Sequence, residues 1–396
     1  MNEGLTPSEK FVTNLSEKSF LKLWTHPNPK GKKKDKELCD CLVVCGNHVI
    51  IISVKEIEYK DTGNEVGIER WKKSAIDKSV AQIYGAERIL KQVEKIERND
   101  GRLICLPPQS NRKYHRISVS FGSKGQVPIA WGDFEQGFIH ICDENSTGVL
   151  FGVLDTITDF INFLTAVEEL TTNGTALLFD GGGYEDLVAL YLQNGYSFSI
   201  EKELDKKPDL LILSNDLLKG FVQSEAYNNM QEDFKNSYIW DRLIDYYSDD
   251  LLTDGMFDMH SKEVTTNELV LVTMALQPRG YRANLAEAFI EFLQNEKLKI
   301  SSRVVLGHNS VAFVFLLGSS ADRERRSREL GLRCFVIRGK VANVTTVIGI
   351  ATDRPGTSQI GYSSDLLYMH IPELTEEDNQ RIDEIQKELG YFKSLK

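Results

Sequence analysis

Glu37-Leu-Cys-Asp40 precedes an apolar hairpin that ends Ser53-Val-Lys55, so an acid and an amine sit at one end of two strands too apolar to face water. Gly46-Asn47 supply a Gly-first two-residue turn that suits the strand twist. Cys45 then pairs with His48, Val44 faces Val49, Leu42 faces Ile51, and Asp40 lies across from Ser53 with Lys55 two residues along the same face. The opposite face is Cys41, Val43, Cys45, Ile50, Ile52 and Val54. Both faces read as covered, which makes these central strands with a layer on each side. A carboxylate and an ammonium are costly to bury alone. They either satisfy each other as a salt bridge at a strand end or line a cleft. In a cleft the carboxylate would hold a hard cation, and the ammonium would orient a water or stabilise negative charge.

The segment resembles the core of the restriction-endonuclease-like, PD-(D/E)XK nuclease superfamily. That resemblance implies an αβββαβ unit in which an Asp opens one strand, a (D/E)XK triplet closes the next, and one or two Mg²⁺ (or Mn²⁺) ions bind between them. By position Asp40 matches the motif aspartate, Lys55 the motif lysine, and Glu37 the extra acid that many members place just before the aspartate. Ser53 departs from the pattern, standing where the family has Asp or Glu. Asp40, Glu37 and the Val54 carbonyl are then the expected metal ligands, with Glu9, Glu17 and Glu58 as further carboxylates within the same unit. Strict alternation places Glu37 on the opposite face from Asp40 unless the strand begins at Leu38 or later. Gln82, within Gln82-Ile-Tyr-Gly-Ala-Glu-Arg-Ile-Leu90, resembles the glutamine that some members direct into the active site; a lone helical Gln also fits a surface position.

Flanking elements fit the same unit. Thr6-Pro7-Ser8-Glu9 predicts a helix start, running to about Lys18. Phe20–Trp24 reads as a strand, and Pro27, Pro29, Gly31 and Lys32–Lys34 as a loop. Apolar positions Ile76, Val80, Ile83, Leu90, Val93 and Ile96 recur at helical spacing, predicting one long helix from about Glu69 to Arg98. Leu103–Pro107 and His115–Ser120 follow as strands.

Residues 1–116 carry 22 Lys+Arg against 16 Asp+Glu, a balance of +6, while the remainder carries 25 against 42, a balance of −17. Lys32, Lys33, Lys34, Lys72, Lys73 and Lys78 concentrate the basic excess beside the motif, which points to a nucleic acid partner, DNA ahead of RNA. An ordinary solvated loop and helix face accounts for the same charges. No recognition helix, zinc finger or aromatic RNA-binding signature is present in the sequence.

At 396 residues and 41% apolar content the chain can bury at least two cores. No signal peptide or membrane-length apolar run is visible, so no membrane partner and a cytoplasmic location are expected. The six cysteines match no zinc spacing, and Cys39, Cys41 and Cys45 read as small buried hydrophobes. Phe138–Cys142 reads as a strand and Leu154–Leu170 as an apolar helix. Gly181-Gly-Gly183 lacks the lysine and hydroxyl of a phosphate loop and reads as a turn. The C-terminal half alternates helices and strands: helix within Thr266–Gln294, hairpin 304–317 around His308, helix Ala321–Leu330 ending at Gly331, strands Cys334–Ile337, Val344–Ile350 and Ser363–His370, and a helix Thr375–Tyr391. Arg323, Arg325, Arg326 and Arg328 read as solvent-exposed or protein-contacting.

The fold class is therefore α/β (α+β), with residues 1–175 as a restriction-endonuclease-like domain, 176–262 as a mostly helical connecting layer, and 263–396 as a second, smaller α/β domain suited to sensing, a protein partner or homo-oligomerisation. Two functions fit. One is a metal-dependent nuclease, in an architecture similar to effectors of prokaryotic antiviral systems. The other is a catalytically silent nuclease-like fold that binds nucleic acid or protein.

Overall fold

The computed structural model describes residues 5–31, 37–61, 65–125, 127, 131–199, 208–214, 216–253, 265–294, 301–318, 322–353 and 363–394. Helix α1 (Pro7–Phe20) begins as the sequence predicts: the Thr6 hydroxyl accepts from the Glu9 amide, and the Glu9 carboxylate accepts from the Thr6 amide at 2.9 Å. The helix continues through Phe20, so the strand expected at Phe20–Trp24 is absent, and strand β1 is Thr25–Pro27 instead. Burial decides the difference. Phe20 packs on Phe151 and Phe160 with ring centroids 5.5 and 4.9 Å away, and Ser19 Oγ donates to the Phe151 carbonyl.

β2 (Cys41–Cys45) and β3 (His48–Glu56) form the hairpin in the predicted register, Leu42 opposite Ile51 and Cys45 opposite His48. Gly46 turns it with φ +55. The single helix expected from Glu69 to Arg98 is interrupted and shorter. It comprises α2 (Glu65–Lys72), one π-helical turn at Lys73–Asp77, and α3 (Lys78–Leu90). Arg112 donates to the Leu90 carbonyl and so closes the C-terminal end of α3. Ile96 then leaves the helical pattern to pair with Ile104, in the small hairpin of β4 (Lys95–Glu97) and β5 (Leu103–Cys105), because both side chains are buried there.

β6 (Lys113–Phe121), β7 (Gly132–Asp133) and β8 (Phe138–Cys142) complete a six-stranded sheet of order β1-β2-β3-β6-β8-β7. β1, β2 and β3 are antiparallel, whereas β6 runs parallel to β3 and β8 parallel to β6. One face carries Leu42, Val44, Val49, Ile51, Ile139 and Ile141 against Trp71, Ile76, Ile83, Tyr84 and Leu90 of the α2–α3 segment. Each such fully buried side chain contributes about 1.5–3 kcal/mol of transfer free energy. α1 and α4 (Glu144–Val153) pack on the sheet as well, joined through the Phe20–Phe151–Phe160 cluster to α5 (Ile157–Thr172). The expectation of two covered faces is met by the burial of every residue from Cys41 to Cys45 and from Val49 to Val54.

β9 (Ala176–Asp180), α6 (Tyr184–Gln193) and β10 (Leu210–Ser214) follow, with β9 and β10 parallel in a stretch the sequence suggests is mostly helical. α7 (Leu217–Val222) and α8 (Glu225–Phe234) come next. The chain divides into two compact units, the second made of Asp233–Asp249 and Ser261–Lys396.

That second unit takes most of α9 (Ser237–Thr253), then α10 (Thr266–Ala275), α11 (Arg279–Gln294), β11 (Ser301–Leu306), β12 (Val311–Leu317), α12 (Arg323–Lys340), β13 (Thr346–Thr352), β14 (Ser364–His370) and α13 (Glu376–Leu389). Its sheet order is β11-β12-β13-β14. α12 passes through Gly331 and absorbs the strand expected at Cys334–Ile337, because Leu330, Cys334 and Ile337 share one helical face and are fully buried. Arg326, expected at the surface, is also buried. It donates to Asp353 at 2.5 Å and to Asp365 at 2.8 Å. His308 lies in the β11–β12 turn as predicted, followed by Asn309 and Ser310 with positive φ. Among the described residues no helix is long and apolar enough to cross a membrane.

Candidate active site at the end of the β2–β3 hairpin

The hairpin register leaves Asp40 just before β2, level with Ser53, and puts Lys55 two residues further on, as expected from the sequence. Asp40 and Ser53 are buried, whereas the Lys55 side chain keeps 24% of its surface exposed, so the group opens to solvent at the lysine. The Val54 amide donates to Asp40 Oδ2 at 2.5 Å, which fixes the carboxylate on the neighbouring strand. Lys55 Nζ stands 3.4 Å from that same oxygen.

Gln82 on α3 joins these residues into one network. Its Oε1 accepts from Lys55 Nζ at 2.6 Å and from Ser53 Oγ at 3.0 Å, while its Nε2 donates to Asp40 Oδ1 at 3.3 Å. The reading of Gln82 as an inward-facing glutamine is the one the geometry favours over a surface position. α3 is held over the site because its neighbouring residues Ile83, Tyr84 and Leu90 are anchored in the core. On β6, Ser118 and Ser120 stand level with Ser53 and Lys55 in the parallel ladder. Ser118 Oγ donates to Ser79 Oγ on α3 at 2.8 Å. Sequence patterning missed this serine pair because a buried Ser in a strand leaves no distinctive spacing.

Glu37 lies before the strand rather than within it, so alternation does not send it to the opposite face. It accepts from Asn28 Nδ2 at 3.0 Å and is not a hydrogen-bonding member of the Asp40 network. Burial and the nearby Asp40 and Glu9 carboxylates raise its pKa above the ordinary glutamate value. Asn28 also donates its amide to the Asp40 carbonyl at 3.1 Å, from a backbone with φ +44. The Pro27-Asn28-Pro29 triplet held that signal, since Asn is the side chain that most readily adopts a left-handed conformation. Of the other acids considered, Glu58 pairs with Lys124 away from the network. Among the described residues no group of three His, Cys, Asp or Glu side chains is arranged to hold a metal ion.

Lys32, Lys33, Lys34 and Lys36 lie outside the described residues. Lys73 and Lys78 are exposed and Lys72 half-buried. The π-helical turn stacks Lys78 one turn above Lys73, and Gln82 follows one α-helical turn later, so these two cations share a helix side with the site glutamine. Cys39, Cys41 and Cys45 are buried and form no disulfide, and burial pushes the Cys41 thiol up to about 12, in keeping with inert packing roles.

The Gly181–Gly183 turn holds its own anion. Asp186 accepts from the Gly183 amide at 2.8 Å and from the Leu218 amide at 2.9 Å, filling the position that a phosphate would take at the start of α6. No protein-family model, curated protein or solved structure matches this chain.

Proposed function

We propose that the first unit is a metal-dependent phosphodiesterase acting on nucleic acid, DNA ahead of RNA, with Asp40, Lys55 and Gln82 at its centre. The observation that carries this reading is the convergence of a buried carboxylate, a partly exposed ammonium and a helix glutamine at one strand end. Apart from the separate β4–β5 hairpin, the order α1-β1-β2-β3, then the α2–α3 segment, then β6, with β3 and β6 parallel, agrees with an αβββαβ core of the restriction-endonuclease-like type. Lys73 and Lys78, exposed on the helix that bears Gln82, give a phosphate backbone two cations to track.

The donor set fits a hard cation in kind. Asp40 Oδ2, Gln82 Oε1 and the Val54 carbonyl already surround one positive charge, the Lys55 ammonium, at 3.4, 2.6 and 3.1 Å. These three oxygens would hold Mg²⁺ or Mn²⁺, and a bound ion would lower the pKa of water and polarise a phosphoryl oxygen. Asp40 is oriented for this by the Val54 amide, and Lys55 supplies the positive charge at the open side, where negative charge develops on a phosphate. Glu37, whose pKa is raised by burial and by the Asp40 and Glu9 carboxylates, is placed to hold a proton near the site more readily than an ordinary glutamate.

Plasmid and single-stranded DNA and RNA incubated with the full chain in Mg²⁺ and Mn²⁺ test this reading. Asp40→Ala and Lys55→Ala should each lower cleavage by about two orders of magnitude or more. Cleavage that survives both substitutions places the chemistry elsewhere. A silent nuclease-like fold is the second reading, motivated by Ser53 at the acidic motif position and by the lack, among the described residues, of a second carboxylate bonded into the network. Retained nucleic acid binding without cleavage across those substrates would favour it.

A further inference from the structure

Ser53 cannot supply the strand carboxylate of a two-acid metal site, and its hydroxyl is spent on Gln82 Oε1 at 3.0 Å. The hydrogen bonds fix the polarity of the Gln82 carboxamide. Nε2 faces Asp40 Oδ1, and Oε1 faces Ser53 Oγ and Lys55 Nζ. An amide oxygen is thereby presented beside Asp40 Oδ2 and the Val54 carbonyl. The Lys55 ammonium is hydrogen-bonded to all three oxygens at once. An ammonium has three donors and no acceptor, so a cradle of three oxygens matches it; hard divalent ions seek the same oxygens at about 2.0–2.6 Å.

We propose that Lys55 is the resident cation of its own metal site, and that a divalent ion binds by displacing the Lys55 ammonium from Asp40 Oδ2, Gln82 Oε1 and the Val54 carbonyl. The Gln82 amide oxygen thus stands in for the carboxylate that Ser53 lacks. This rests on the metal-dependent reading above and adds an order to it: the ion and the ammonium compete for one cradle. Two like charges within a few ångströms repel, so the ammonium must turn out of the cradle as the ion enters. Lys55 has room to do so, since its side chain is 24% exposed. Ser120 stands beside it across the β3–β6 ladder, with a buried Oγ that has no partner among the described residues. That hydroxyl offers the displaced ammonium an acceptor.

The test is direct Mn²⁺ binding to the full chain, followed by calorimetric titration and by electron paramagnetic resonance of free Mn²⁺, with no nucleic acid present. Lys55→Met removes the competing charge and should bind Mn²⁺ roughly tenfold or more tightly than the unsubstituted chain. Lys55→Gln, which keeps a polar side chain, should shift the same way if Lys55→Met folds poorly. Adding Asp40→Asn or Gln82→Leu to the Lys55→Met background should remove the tight site. If the unsubstituted chain binds Mn²⁺ in an Asp40-dependent manner and the Lys55 variants bind no tighter, the metal reading stands and the displacement proposal is overturned. If no Asp40-dependent Mn²⁺ binding occurs in any of these proteins, the metal reading falls and takes the displacement with it.

Discussion

Single side chains here do more than their residue type suggests. A glutamine on a helix is ordinarily solvated, but Gln82 contacts Asp40, Ser53 and Lys55 simultaneously, so losing it would unfasten three strand residues at once. Arg326 has the same status in the second unit: its side chain is 1% exposed, with Asp353 and Asp365 as partners. Removing one member of a buried ion pair leaves an uncompensated charge, which is costlier than losing the attraction itself. Arg326→Met should therefore lower stability by about 3–5 kcal/mol, read from the urea-denaturation midpoint. Replacing Arg326, Asp353 and Asp365 together by apolar residues should recover most of that loss. A single-substitution loss below about 1 kcal/mol would mean that this cluster is worth no more than an exposed pair. The arginine gave no sign of this role in the sequence, where it sits among Arg323, Arg325 and Arg328 and shares their pattern.

At the scale of elements, α3 is the part on which the site most depends, because it carries Gln82 on one side and Ile83, fully buried, on the next. Ile83→Ala should leave a cavity under the helix and cost about 2–5 kcal/mol, measured by thermal or chemical unfolding; a loss well below this would show that the sheet closes over the gap. The helix was readable from its apolar repeat, as was the hairpin, whose register follows once Gly46-Asn47 is taken as the turn. The ends of elements were not. Val93 and Ile96 continue the helical spacing of α3, but Ile96 is buried opposite Ile104, a partner that no local pattern reveals. Cys334-Phe-Val-Ile337 has strand-like composition and became helical because Leu330, Cys334 and Ile337 meet the sheet at intervals of four and three residues. In both cases a tertiary contact overruled local preference. That Asp40 and Lys55 meet at one strand end was legible from the hairpin register, whereas Gln82 fitted a surface position equally well; Asn28, Ser79 and Ser118 were not legible, since each acts through a contact distant in sequence or through backbone conformation.

For the whole molecule, histidines kept neutral by desolvation, His26, His48, His115 and His140, add to the response to acid. Burial is the leading cause that pushes His26 and His115 down to about 3 and His48 to about 4. All three belong to the first unit. An unfolded histidine titrates near 6.5, so each of these groups stabilises the fold fully above that pH, and the contribution is lost as pH falls from about 6.5 toward 3–4. The first unit should thus lose thermal stability steadily between pH 7 and pH 4. Three of the four tryptophans, Trp24, Trp71 and Trp131, lie in that unit and report on it by fluorescence. His115→Asn should flatten the slope; an unchanged slope would assign the acid response to other groups. The rims of the six-stranded sheet carry a different consequence. β1 spans three residues and ends in Pro27, and β7 spans two. Strands so short, one of them closed by a residue with no amide proton to donate, give a neighbouring chain almost nothing to zip onto. Copies of this protein are thereby discouraged from joining edge to edge into fibrils through that sheet, even though its interior strands are among the most apolar stretches in the chain.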